Sequence, residues 1–229
     1  MEEISIFDIA GPAMVGPSSS HTAGACKIGQ FARALFHGTP SKVTFYLHGS
    51  FGEVYKGHAT DKALVAGILK LQTSDPRIKE SFDLAKKRKM KYKFIPTNLG
   101  EKYHPNTVEI VMENKNRTMS VIGSSVGGGM IEIVKIDDFD INIKGRAGKY
   151  LSLVVCHEND NKTLMDIQKR INSLEGISIS AIQHKRYKDK AISVLSLEGR
   201  PIKLPEVMEI EKSMPKVEFI RSLSKLETQ

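Results

Sequence analysis

Apolar residues at Ile28, Phe31, Ala32, Leu35 and Phe36 recur at i, i+3, i+4, i+7 and i+8, the spacing of a helix with one face on a core. This predicts a helix directly after Gly24. A β-branched and aromatic run at 43–47 predicts a strand. A second helix is expected from Thr60 to about Leu71, with Thr60 as its cap and Leu64, Ile68 and Leu71 as its apolar row. A charged helix follows from about Ile78 to Lys89. Beyond it, apolar and polar residues alternate at 108–112, 119–122 and 130–134, the period of half-buried strands. Helices first and strands later point to an α+β fold, not a doubly wound sheet.

The pattern becomes cleaner after Gly145-Arg146-Ala147-Gly148-Lys149, which reads as a short basic hinge. Residues 150–156 read as a strand. Thr163 with Asp166 resembles a capping box opening a helix whose Leu164, Ile167, Ile171 and Leu174 share one face. Residues 177–183 and 191–197 form an expected hairpin around Lys188-Asp189-Lys190, Pro205 starts a helix through Met214, and 217–220 closes the order as βαββαβ. That order is the ferredoxin-like split βαβ unit. Two domains are therefore expected, at 1–145 and 149–229.

Composition narrows the classes. The chain has 229 residues, 40% hydrophobic and 26% charged, the balance of a globular protein with room for two small cores. It has no apolar run of membrane-spanning length, and Met1-Glu2-Glu3 is acidic where a secretory signal is basic, so a cytoplasmic location is expected. Cys26 and Cys156 fall in different predicted domains, which argues against a disulfide scaffold. The net charge of +8 raises nucleic acid as a partner, and Lys86-Lys87-Arg88-Lys89 with Lys91 and Lys93 is the densest basic run. Only Tyr92 and Phe94 stand near it for stacking, so a solvated helix face explains the run more simply. An acidic partner subunit would also suit it, because complementary charge speeds association.

The densest chemistry lies at Gly16-Pro17-Ser18-Ser19-Ser20-His21-Thr22-Ala23-Gly24. These residues precede a predicted helix, where free backbone N–H groups and the positive end of the helix dipole favour a carboxylate or phosphate. A cap needs one oxygen, whereas this stretch supplies four hydroxyls and an imidazole. Ser124-Ser125-Val126-Gly127-Gly128-Gly129 is a second candidate: its glycines fit a bend between strands, and Ser124 and Ser125 suit a pocket. Neither a Walker lysine nor a dinucleotide fingerprint accompanies these glycines, so nucleotide binding is not expected. Cys26 lies among apolar neighbours inside the first helix and reads as buried and inert.

The serine stretch resembles the signature of iron–sulfur-dependent L-serine dehydratases. His48-Gly49-Ser50, Lys56-Gly57-His58-Ala59-Thr60-Asp61, His104-Pro105-Asn106-Thr107 and the 124–129 stretch resemble further elements of that family. His48 stands where the family pattern has an aromatic residue, which argues against a special role for it. The resemblance implies the separate beta subunit, with a serine-dehydratase-beta domain of the allosteric-substrate-binding type followed by an ACT-like regulatory domain that pairs two chains. It implies deamination of L-serine to pyruvate and ammonia, with the iron of a [4Fe–4S] cluster acting on the C3 hydroxyl. Such a cluster takes three or four thiolates and this chain has two cysteines, so the ligands are expected on an alpha subunit and none here. Ser18, Ser19, Ser20, His21, Thr22, Asn106, Ser124 and Ser125 are then expected to bind substrate. His58 is the first choice of general base, with Asp61 orienting it, and His104 is the second. His37, His157 and His184 carry no such support. A non-catalytic amino-acid-binding regulator is the alternative from another class. A pyridoxal-phosphate enzyme is disfavoured, because no lysine stands in a Schiff-base context.

Overall fold

In the computed structural model, which describes residues 14–36, 38–145 and 152–223, the strands gather into two sheets. The first contains β1 (Lys42–His48), β2 (Lys91–Pro96), β3 (Thr107–Glu113), β4 (Thr118–Gly127), β5 (Met130–Ile136) and β6 (Phe139–Gly145), in the order β2-β1-β3-β4-β5-β6. β1 runs parallel to β2 and antiparallel to β3, with Phe45 opposite both Phe94 and Ile110. β3, β4 and β5 continue as an antiparallel meander. A parallel pair needs a long crossover. It is supplied by α2 (Ser50–Val54), α3 (Thr60–Ile68), a 3₁₀ turn (Pro76–Glu80) and α4 (Ser81–Lys87).

α1 (Ala25–Leu35) begins one residue after Gly24, as the apolar spacing predicts, and buries Ile28, Phe31, Ala32 and Leu35. It crosses α3 at Gly29 and Gly67. A Cβ on Gly67 would lie 2.2 Å from the Cys26 carbonyl oxygen and one on Gly29 would lie 2.7 Å from that of Leu64, so only glycine permits this approach. The crossing fixes the first turns of α1 against the last turns of α3.

Several expectations need correction. The N-cap of α3 is Ala59, in the left-handed region at φ 57°, and the Thr60 hydroxyl is buried without a partner. α3 stops at Ile68, short of Leu71, because Lys70 turns the backbone left-handed at φ 65°. The charged helix is split into the 3₁₀ turn and α4, and Lys91 and Lys93 belong to β2. The basic run is therefore not one helix face. On this edge strand the exposed lysines alternate with half-buried Tyr92 and Phe94, and charge along an edge discourages pairing with other chains. The pattern did not foresee α2, β2 or β6.

The second sheet contains β7 (Ser152–Glu158), β8 (Ile177–Tyr187), β9 (Lys190–Gly199) and β10 (Val217–Ser222), in the order β10-β7-β9-β8 with antiparallel neighbours. With α5 (Asn161–Asn172) and α6 (Leu204–Ser213) this is the ferredoxin-like βαββαβ arrangement. Leu153, Val155, Ile167, Ile171, Leu195, Val207 and Ile210 form its core. The capping box expected at Thr163 and Asp166 is not made. α5 starts earlier, with Asp160 as its cap, accepting from the Lys162 N–H at 2.8 Å and the Thr163 hydroxyl at 3.0 Å. α6 begins at Leu204 with Pro205 in its first turn, and the Glu206 carboxylate accepts from the Lys203 N–H at 2.7 Å.

The chain divides into two compact units, the first running to Asp137 and taking in Asn142–Ala147, the second taking in Asp138–Ile141 and the chain from Gly148 onward. Gly145 ends β6. The other hinge residues, 146–149, lie outside the described residues, as do Tyr150, His37 and the N-terminal Met1-Glu2-Glu3.

Candidate functional site

Ser19–Gly24 forms a single π-helical turn that runs into α1. Ser18 caps it, its hydroxyl oxygen accepting from the His21 N–H at 3.1 Å. The same oxygen lies 3.4 Å from His21 Nδ1, and His21 Nε2 lies 3.0 Å from the Ser50 hydroxyl. The imidazole is therefore held at both nitrogens. Its ring also meets the Phe51 ring edge at 5.4 Å and lies 5.0 Å from the His58 ring. Thr22 is fully buried and donates its hydroxyl to the His58 carbonyl at 3.2 Å. Among the described residues, the Ser19 and Ser20 side chains make no hydrogen bond.

Four distant segments close around this turn. Gly49-Ser50-Phe51 enters through the His21 contact, and the Phe51 N–H reaches the Pro105 carbonyl at 3.4 Å, which brings in the 104–107 loop. In that loop the Asn106 N–H donates to His104 Nδ1 at 3.0 Å, and the Asn106 carbonyl accepts from the Ser125 N–H at 2.9 Å. Thr107 gives its single hydroxyl proton to the His104 carbonyl at 2.6 Å, so the 2.7 Å contact with Ser124 is donated by Ser124. Ser125 lies against Gly24, where an added Cβ would stand 2.1 Å from its hydroxyl oxygen. That hydroxyl is buried without a partner, as is the Thr60 hydroxyl two residues after His58. An unsatisfied buried hydroxyl costs roughly 1–3 kcal/mol, and two beside one turn mark polar capacity that the fold itself does not use.

Burial, and after it the neighbouring His58, lower the His21 pKa from its ordinary value, so His21 is a neutral ring at neutral pH. Lys27, in the first turn of α1, donates to the Gly129 carbonyl at 2.9 Å, and burial pulls its ammonium below the usual lysine range. This ties the Gly127-Gly128-Gly129 turn, at positive φ throughout, to the helix that carries the serines. His58 is exposed, and its ring neighbour is His21. The expected pairing with Asp61 is not made: the Asp61 carboxylate accepts from the Lys62 N–H at 2.7 Å, and burial raises its pKa. His104 is exposed at the loop rim, and His48 accepts from the Leu99 N–H at 3.1 Å.

A family model for the serine dehydratase beta chain matches residues 5–135. The chain belongs to the serine dehydratase beta-chain family. It is 42% identical over 199 residues to the L-serine dehydratase beta chain of Peptoniphilus asaccharolyticus, covering 86% of this chain and 88% of the relative. It is 36% identical over 197 residues to the probable L-serine dehydratase beta chain of Bacillus subtilis (strain 168), covering 86% of each.

Within this serine dehydratase beta chain, the residues that sequence reasoning passed over are Ser50, Phe51 and Thr107. Ser50 lies in the His48-Gly49-Ser50 stretch, but its partner His21 is 29 positions away and no spacing rule connects them. The chain's own cysteines do not suit an iron–sulfur cluster. Cys26 is buried, donates to the Leu71 carbonyl at 3.5 Å, and burial pushes its thiol up to about 12, far from the thiolate form that a metal takes. Cys156 lies in the other unit, so the two cannot complete a set of three or four ligands. Among the described residues, no helix is long and apolar enough to cross a membrane.

Proposed function

We propose that this chain is the beta subunit of an L-serine dehydratase, and that the serine turn holds the substrate carboxylate while L-serine is converted to pyruvate and ammonia. The observation that carries this reading is the convergence of distant segments on one turn, with Ser19 and Ser20 unbonded and two imidazoles 5.0 Å apart. Ser19 and Ser20 supply directed hydroxyls to the carboxylate; Ser18 and Thr22 keep the turn in shape. Neutral His21, engaged by Ser18 and Ser50, orients those hydroxyls beside the carboxylate and adds no charge pair. Asn106, Ser124 and Ser125 form the facing wall. Exposed His58 takes the Cα proton, with His104 as the second candidate, and Asp61 supports the His58 turn through its backbone contact.

The [4Fe–4S] cluster belongs to a partner alpha subunit, since the thiols here do not suit it. We assign 1–145 as the serine dehydratase beta domain and 149–229 as an ACT-like regulatory domain that carries homodimer contacts. The enzyme works in the cytoplasm, with neither nucleic acid nor membrane as partner.

The test is anaerobic mixing of this chain with a cluster-bearing alpha chain and L-serine. Pyruvate is expected, and His58→Asn should lower kcat about 10²–10⁴-fold with serine binding kept. No pyruvate from a complex that forms would favour the amino-acid-binding regulator. A change in KM alone would move the base to His104 or to the alpha subunit.

A further inference from the structure

The opposite end of α1 carries a different chemistry. Arg33, in its last turn, and Arg88, just past α4, both line a cleft of about 410 Å³ with Thr39, Ile68, Lys70 and Met90. Each guanidinium is anchored by one bond to a backbone carbonyl. Arg33 donates to Phe36 at 3.0 Å and Arg88 to Leu69 at 3.1 Å, the carbonyls at the ends of α1 and α3. Capping a helix end explains each arginine singly, but not why both caps open on one cleft. Among the described residues, no acidic side chain lines it. Among the described residues, neither guanidinium makes another hydrogen bond, so each retains four of its five N–H donors. Burial, and after it the nearby Arg88 charge, lower the Arg33 pKa, as repulsion between like charges requires.

We infer that this cleft is an anion site that takes the phosphate group of a small phosphomonoester, or free phosphate, bridged between Arg33 and Arg88. Planar guanidinium forks match phosphate oxygens in pairs, and a dianion answers the two guanidinium charges where a monocarboxylate answers one. The volume lies in the range of small-molecule pockets and exceeds what phosphate alone fills. Ile68 and Met90 give the remainder an apolar wall. Arg33 stands nine residues after Gly24, about 13 Å along the axis of α1, so the site is distinct from the substrate site.

Isothermal titration of the full-length chain at low salt, with inorganic phosphate and separately with glycerol 3-phosphate, tests the inference. We expect saturable binding of one equivalent, weakened about tenfold or more by Arg88→Gln and by Arg33→Gln, and unchanged by Lys169→Gln in the second unit. Arg88 is exposed, so its variant should fold, which circular dichroism checks. Tighter binding of glycerol 3-phosphate identifies an organic phosphate as the ligand; equal binding identifies free phosphate. Absence of saturable binding by either probe, or equal binding by both arginine variants and the parent, overturns the site. So does an RNA oligonucleotide that binds where neither probe does.

Discussion

His21 has a partner at each ring nitrogen, Ser18 from the preceding turn and Ser50 from across the fold, and burial keeps the ring uncharged. Of the two, Ser50 is the more informative to remove, because Ser18 also caps the turn and its loss would confound shape with chemistry. In an assembled enzyme Ser50→Ala should cost about 1 kcal/mol of substrate binding, a roughly five- to tenfold rise in KM for L-serine. kcat should change little and Ser50→Thr should restore binding. A KM unchanged in Ser50→Ala would mean that the Ser18 contact alone orients the ring. Ser18 to Thr22 are legible in the sequence because they are adjacent and over-supplied with hydroxyls. Ser50 is not, since its role depends on which surfaces meet after folding. The His58–Asp61 pairing failed for a related reason: three residues apart brings two side chains onto one helix face, but His58 lies before the left-handed Ala59 and Asp61 after it.

Asp160 shows how much one cap does for its element. It accepts from Lys162 N–H and the Thr163 hydroxyl and pairs with Lys216 at 2.8 Å, which ties the start of α5 to the entry of β10. The Lys216 hydrogen bond, and after it the Lys162 N–H, hold its carboxyl at about 2, below the ordinary 3.8. A carboxyl depressed in the folded state adds stability above its unfolded value and loses it as the pH falls through the folded one. The second unit should therefore lose stability between about pH 4 and pH 2. Asp160→Asn, which keeps a capping oxygen but neither the charge nor the titration, should be less stable at pH 7 and show a flatter decline across that window in acid unfolding followed by circular dichroism. An identical acid profile would assign the decline to other carboxyls, Glu206 first among them. The same scale explains what the hydrophobic pattern captured. Strands β3, β4 and β5 and the whole βαββαβ order carry clean periods. β2 alternates lysine with aromatic residues inside a basic run, so charge masked its period of two. α2 is five residues long, too short to display a period at all.

At the scale of the whole molecule, the proposed division of labour with a partner rests on sulfur chemistry. A four-iron cluster binds thiolates, while Cys26 is a buried thiol pushed up to about 12 and Cys156 is buried in the other unit. Opening Cys26 would mean separating α1 from α3 at the Gly29–Gly67 crossing, which is the packing that sets the serine turn in place. The chain cannot offer that thiol to iron and keep its site. Purified alone and treated anaerobically with iron and sulfide, it should remain colourless and bind no stoichiometric iron. Cys26 should react with a thiol reagent only in denaturant, with unfolding and labelling rising together. Addition of the alpha chain to the same mixture should then produce the brown absorbance and the lyase activity in one step. Colour and stoichiometric iron in the folded chain alone would place the cluster ligands here and remove the reason for a second subunit.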